Sequence, residues 1–165
     1  MSIAQNFFKE TIDENGCLTD IQAHWPDNFN FGYDVVDAIA QETPDKRALV
    51  WCNTENEEHI FTFGDIREQS NRAANALLEA GIKKGDRVML ALKRHYEYWF
   101  ISIALHKIGA VMIPVTHMLT TEDFIYRIRS AKVKAVICTP MDEVPEKVKA
   151  AVEELNADCL LWTVK

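Results

Sequence analysis

The run LHKIGAVMIPV, residues 105–115, decides the fold. Leu105 to Ile108 read as the end of an apolar helix, Gly109 as the break, and Val111 to Val115 as a strand of β-branched residues. A glycine takes the left-handed conformation at little steric cost, so helix and strand meet in a tight joint. Pro114 marks the C-terminal end of that strand. In open α/β sheets this is the end at which ligands bind.

The same joint recurs on both sides. RVMLAL (87–92) is a strand of the fully buried type, and it leads to a helix over 96–108 with Trp99, Phe100, Ile103 and Ile108 apolar. The strand 111–115 leads to a helix over 121–130, opened by Thr120 and Asp123 at capping-box spacing. A strand over 135–139 precedes a helix near 143–157, where Pro145 fits the first turn and Val148, Val152 and Leu155 form a stripe. A strand over 159–164 follows. Four apolar strands separated by helices predict an α/β fold: a mostly parallel sheet, Rossmann-like, with helices on both faces and right-handed crossovers.

Upstream, Thr62 and Asp65 cap a helix whose stripe is Ile66, Ala73, Ala76, Leu77 and Ala80. Gly81 suits a left-handed cap, and Ile82 can fold back on the last turn. RALVWCN and HIFTF predict a small β-hairpin near 48–61 with the acidic tip NTENEE, a solvated turn. YDVVDAIAQETPDK places Val35, Val36, Ile39 and Ala40 on one helical face that stops before Pro44. Residues 1–30 read as a polar extension with a short helix near 3–12 and a loop, HWPDNFNFG, pinned by aromatic side chains. The expected organisation is therefore an extension over 1–30 and an α/β unit over 31–165.

A chain of 165 residues with 48% hydrophobic and 26% charged residues has an ordinary globular balance. Its net charge of -7 argues against a dedicated nucleic-acid partner, which needs a basic face. No run reaches the roughly 18 apolar residues of a membrane span, and no membrane partner is expected. The start, MSIAQNFFKETIDENG, lacks the basic and apolar regions of a secretory leader, so a cytoplasmic location is expected. The four cysteines, at 17, 52, 138 and 159, form no CxxC pair. Cys138 and Cys159 fall in strand-like runs and read as small buried hydrophobes.

No GxGxxG, GxxxxGK[ST] or GxSxG motif is present, the five histidines are scattered, and no carboxylate pair stands out at strand ends. No catalytic residue and no metal ligand is assigned. Two loops remain. Thr116-His117-Met118-Leu119 follows the strand 111–115 and precedes a helix, where free backbone N–H groups and the dipole favour anions; it is equally a plain connecting loop. Lys93-Arg94-His95 follows the strand 87–92 and suits a phosphate or simply a solvated turn.

FTFGDIREQSNRAANALLEAGIKKGDRVMLAL resembles the first segment of the adenylate-forming acyl-CoA synthetase superfamily. YWFISIALHKIGAVMIPVTHMLTTEDFIYRIRSAKVKAVI resembles the next, with its helix, K-x-G-A run, strand ending in Pro, and Arg127-Ile128 pair. FNFGYDVVDAIA followed by ALVW resembles the medium-chain branch. The resemblance runs from about residue 25 onward and implies a two-step reaction. A carboxylic acid and ATP give an acyl-adenylate and pyrophosphate, with Mg²⁺ neutralising the phosphates, and CoA then displaces AMP.

The superfamily's Ser/Thr/Gly-rich phosphate loop, its aromatic-Gly-x-Thr-Glu stretch, its ribose-holding Asp and its C-terminal catalytic Lys do not occur in the 165 residues. The chain is therefore expected to be the N-terminal portion of such an enzyme, inactive alone and binding no cofactor tightly. ATP, CoA and Mg²⁺ belong to the full-length enzyme, and small-molecule substrates act through the rest of it. The resemblance puts Thr116, His117 and Met118 beside the CoA nucleotide, although the branch carries small glycine-rich residues there. It puts two phosphate-binding arginines on Val144 and Lys147, so that Lys147 alone keeps a charge, without bidentate geometry. The alternative is a stand-alone nucleotide- or CoA-binding or scaffold module. Self-association through exposed apolar faces is expected of a partial fold.

Overall fold

In a computed structural model describing residues 3–164, the chain forms two antiparallel hairpins and one parallel sheet flanked by helices. The first hairpin pairs β1 (Phe8–Ile12) with β2 (Leu18–Ala23). A π-helical segment, Phe31–Asp37, runs into α1 (Ala38–Glu42), which ends before Pro44. The second hairpin pairs β3 (Arg47–Cys52) with β4 (Glu58–Thr62). Then come α2 (Phe63–Glu79), β5 (Arg87–Ala91), α3 (Glu97–Ile108), β6 (Val111–Pro114), α4 (Thr121–Ala131), β7 (Ala135–Cys138), α5 (Val144–Leu155) and β8 (Leu160–Thr163). The parallel sheet has the order β6-β5-β7-β8.

Strand alternation sorts the core onto two faces. Met89 and Ala91 on β5, with Val136 and Cys138 on β7, pack against Phe124, Ile128, Val144 and Val148 of α4 and α5. Their neighbours Val88, Leu90, Ala135 and Ile137 turn the other way, onto Ala74, Leu77, Ala104 and Leu105 of α2 and α3. Both faces are covered, which is why Val88 to Ala91 and Ala135 to Ile137 are uninterrupted apolar runs. A third cluster, Val36, Ile66, Phe100 and Ile103 with Leu49 and Phe61, fastens the second hairpin to the helices.

Local signals account for most element ends. The Thr62 hydroxyl accepts from Asp65 N–H at 3.1 Å, and the Asp65 carboxylate accepts from Thr62 N–H at 2.8 Å. Thr120 and Asp123 repeat this box on α4. Gly81 (φ +89°) and Gly109 (φ +70°) terminate α2 and α3, and Ile82 and Ala110 donate back to the carbonyls of Leu77 and Leu105. At the ends of α4 and α5, Lys132 and Asn156 take the same left-handed position without glycine.

Three expectations change. The helix near 3–12 is instead a 3₁₀ turn, Ile3–Asn6, followed by β1, where Phe8, Thr11 and Ile12 suit a strand, and Gly16 (φ +80°) closes the turn. The α2 stripe is rotated: Ile66, Ser70, Ala74 and Leu77 are buried, while Ala76 and Ala80 are exposed. Alanine carries too little apolar surface to orient a helix, so the larger Ile66 and Leu77 set the buried row. Trp99, expected on the apolar face of α3, is 49% exposed because Phe100 and Ile103 occupy that face.

The lysine of the K-x-G-A run has a structural place. The Lys107 side chain is 1% exposed; its Nζ donates at 2.7 Å to both Asp37 Oδ1 and Asn71 Oδ1 and lies over the Tyr33 ring. Gly32 must be glycine beneath it, since a Cβ there would sit 2.6 Å from Lys107 Cγ. Asn30 caps the segment by accepting from Gly32 N–H, and it donates to the His106 carbonyl at the end of α3.

Candidate functional site

The strand order creates a switch point. From β5 the chain crosses to β6 on one side and returns to β7 on the other, so the loops after β5 and β7 diverge. The crevice between such loops, outside the carboxyl ends of the strands, is the common ligand position in open α/β sheets. Here it opens at Lys93-Arg94-His95 and at Pro140-Met141, and the hairpin β3–β4 forms its opposite wall. Its volume is about 740 Å³, within the range of small-molecule sites.

Asp142 ties the strand-end loops together. Its carboxylate lies 2.9 Å from Lys93 Nζ and 3.7 Å from His117 Nε2, and its backbone carbonyl accepts from Lys147 Nζ at 3.1 Å. The Lys93 hydrogen bond holds the Asp142 carboxyl below the usual range, with the charges of Lys93, His117 and Lys147 acting in the same direction. Asp142, Glu143 and Arg94 all have positive φ (58°, 57° and 53°). Such backbone costs about 1–3 kcal/mol per residue and clusters at functional sites.

A second link joins the loops after β5 and β7. His95 Nε2 lies 3.0 Å from Thr139 Oγ1, which accepts from Met141 N–H at 3.4 Å. His95 Nδ1 faces Glu97 Oε2 at 3.9 Å. That carboxylate oxygen is buried and accepts no hydrogen bond. Trp51, His59 and Tyr96 meet at ring distances of 5.2–5.5 Å, and Trp51 Nε1–H donates to the Arg94 carbonyl. Burial raises the Tyr96 phenol above its ordinary value, helped by the Glu97 charge.

Of the residues singled out from the sequence, Thr116 and Met118 are exposed, and Thr116 Oγ1 accepts from Met118 N–H at 3.2 Å. His117 and Lys147 are half-buried and meet at Asp142. Val144, by contrast, is fully buried under the sheet. The two loops weighed separately in the sequence thus meet at Asp142. Asp142, Thr139, Trp51, His59, Tyr96 and Glu97 were not singled out. Their positions after β7, on β3–β4 and at the start of α3 were legible, but nothing in the letters says that the hairpin folds over the loop after β5.

Residues 36–163 match the AMP-binding enzyme family. The chain belongs to that family. It is 32% identical over 155 residues to the mitochondrial acyl-coenzyme A synthetase ACSM4 of Rattus norvegicus, covering 90% of this chain and 26% of the relative. Identity to the mitochondrial acyl-coenzyme A synthetase ACSM5 of the same species is 37% over 140 residues, covering 81% of this chain and 23% of the relative. The fold is similar to that of the Brucella canis acyl-CoA synthetase, with a TM-score of 0.69 and 24% identity over 86% of this chain and 25% of the other. This family member therefore spans about a quarter of the length of the curated relatives it matches. The cytoplasmic expectation is corrected by those relatives, which are mitochondrial enzymes. Among the described residues no helix is long and apolar enough to cross a membrane.

Proposed function

We propose that the chain is the N-terminal portion of an AMP-forming acyl-CoA synthetase that activates short- or medium-chain carboxylic acids and passes them to CoA. The identity of 32–37% with acyl-CoA synthetases over most of the chain carries this reading. The parallel sheet supplies scaffold, and its strand-end loops present side chains towards the ligand side. Thr116, His117, Met118 and Lys147 lie near the CoA nucleotide in this reading, His117 and Lys147 offering charge to a phosphate. The residues present do not fit ATP with Mg²⁺. No glycine-rich phosphate cradle follows a strand, and no group of three His, Cys, Asp or Glu gathers among the described residues. No step is derived through that pair.

Residues 1–30 are an extension and 31–165 the α/β unit of this portion. The isolated chain makes no acyl-CoA, because the groups that stabilise phosphate charge in the first step lie elsewhere. Acyl-CoA formation by purified 1–165, with ATP, CoA and butyrate or octanoate, would overturn that statement. Sequencing the coding frame past Lys165 tests the larger reading. A Ser/Thr/Gly-rich loop ending in Pro-Lys is expected, and an immediate stop would favour a binding or scaffold module without catalysis.

A further inference from the structure

We propose that the chain associates head to tail: the acidic, apolar-faced hairpin β1–β2 of one copy docks into the basic groove at the N-terminal ends of the parallel strands of a second copy. The inference goes beyond the synthetase reading and does not rest on it.

The hairpin is a surface that its own chain does not cover. Every residue from 8 to 28 is exposed. The register sets Phe8 opposite Ala23, Glu10 opposite Ile21 and Ile12 opposite Leu18, so these share one face, while Lys9, Thr11, Asp20 and Gln22 share the other. A two-stranded hairpin alone is marginal in water, and burying its apolar face stabilises it. Its charge is one-sided. Among residues 8–28, Glu10, Asp13, Glu14, Asp20 and Asp27 stand against a single lysine, Lys9.

The groove has the opposite sign. It lies at the far end of the sheet from the crevice, where the ends of α4 and α5 meet the starts of β5 and β7, and it measures about 460 Å³. Val133, Leu155 and Ala157 give it an apolar lining. Arg87, Arg129, Lys132 and Lys134 stand there against Asp86 and Asp158. Lys134 is paired with Asp158 at 2.6 Å, and the Arg87 guanidinium donates to the carbonyls of Gly85, Ala131 and Lys132. Arg129 and Lys132 are exposed and are in no ion pair among the described residues.

Charge complementarity selects the second copy. Hairpin on hairpin, or groove on groove, would set like charges against each other. Anionic lipid headgroups would repel the hairpin. Hairpin on groove brings opposite charges together around two apolar surfaces. The two patches differ, so each bound copy still offers a free hairpin and a free groove, and association runs past the dimer into a ring or an open chain. The net charge of -7 opposes any contact between copies, which makes this one weak and sensitive to salt.

Sedimentation velocity tests this in a Leu161→Lys background, which blunts the β8 edge and leaves the hairpin contact to act alone. That chain should form species larger than a dimer at low salt, and raising NaCl from about 0.05 to about 0.5 M should weaken the association about tenfold. Glu10→Lys, Glu14→Lys and Asp20→Lys together reverse the hairpin, and Arg129→Glu with Lys132→Glu reverses the groove. Each of these two variants should be a monomer, because like charges then meet. An equimolar mixture should associate again, since each hairpin finds a groove of opposite sign. Recovery on mixing requires both variants to be folded, so it separates a lost contact from a lost fold. A Leu161→Lys chain that is monomeric at about 0.1 mM and low salt overturns the proposal. So does association that survives either reversal, or a mixture of two folded variants, checked by circular dichroism, that stays monomeric. A chain that stays monomeric yet binds a lysine-rich amphipathic peptide through the hairpin has a basic protein as the occupant, and this too overturns it. None of these results touches the synthetase reading, which acyl-CoA formation by the complete enzyme decides.

Discussion

Removing the charge of Lys107 should cost more than any substitution on the surface. Its ammonium is 1% exposed and is held by Asp37 and Asn71, each at 2.7 Å, with Asp37 itself only 19% exposed. Lys107→Met keeps most of the packing over Gly32 but leaves Asp37 partly buried with no cation. Breaking such a pair from one side costs about 3–5 kcal/mol. That is a large share of the roughly 5–15 kcal/mol that holds a domain together. Asp37→Asn strands the lysine instead and should cost a similar amount. The double variant leaves no buried charge unpaired, so it should fall well short of the sum, with a coupling of about 2 kcal/mol or more. Urea unfolding followed by far-ultraviolet circular dichroism measures all three. Single variants within about 1 kcal/mol of the parent, or additive losses, would refute the assignment of Lys107 as the cation that ties the π-helical segment, α2 and α3 together.

Other outcomes follow from burial and capping. Burial pushes both the Cys138 and Cys159 thiols up to about 11, so at pH 8 iodoacetamide should label the exposed Cys17 and Cys52 first and the other two only on unfolding. The Asp123 carboxyl is held below its ordinary 3.8, chiefly by the Thr120 N–H bond. A depressed carboxyl contributes stability above the unfolded pKa and loses it as pH falls through the folded one. Asp123→Asn should therefore be less stable than the parent at neutral pH and converge with it in acid below 3.8, as read from urea midpoints. On β8, Leu160 and Val164 donate to the neighbouring strand, which turns the N–H groups of Leu161 and Thr163 towards the open edge. This edge lies beside an apolar groove lined by Ala76, Ala80 and Trp162. The isolated chain should self-associate there, and Leu161→Lys should shift sedimentation towards monomer; a parent that sediments as a clean monomer would contradict this.

The alternating helices and strands from residue 62 onward were readable because each signal is local. Thr62 and Thr120 each sit three residues before an aspartate, Gly81 and Gly109 each follow a helix, and the strands between are uninterrupted apolar runs. Those features fix element type and order whatever the rest of the chain does. The N-terminal hairpin was missed because FKETI, with Phe8 and Ile12 at helical spacing, looks much like a short amphipathic helix until the turn at Gly16 is weighed. The α2 stripe was misdrawn because alanines mark a face only weakly.

The sequence by itself determined the class of fold, the strand-end loops and the kinship with acyl-CoA synthetases. Tertiary structure alone decided that Lys93, His117 and Lys147 converge on Asp142, and that a hairpin forty residues upstream supplies Trp51 and His59 to the wall beside Glu97. The physical reason is range. Caps and periodicities act within a few residues of chain. The switch point arises from the order in which the strands pair, and the hairpin's place from a cluster joining Phe61 to Phe100 and Ile103. No local pattern carries either.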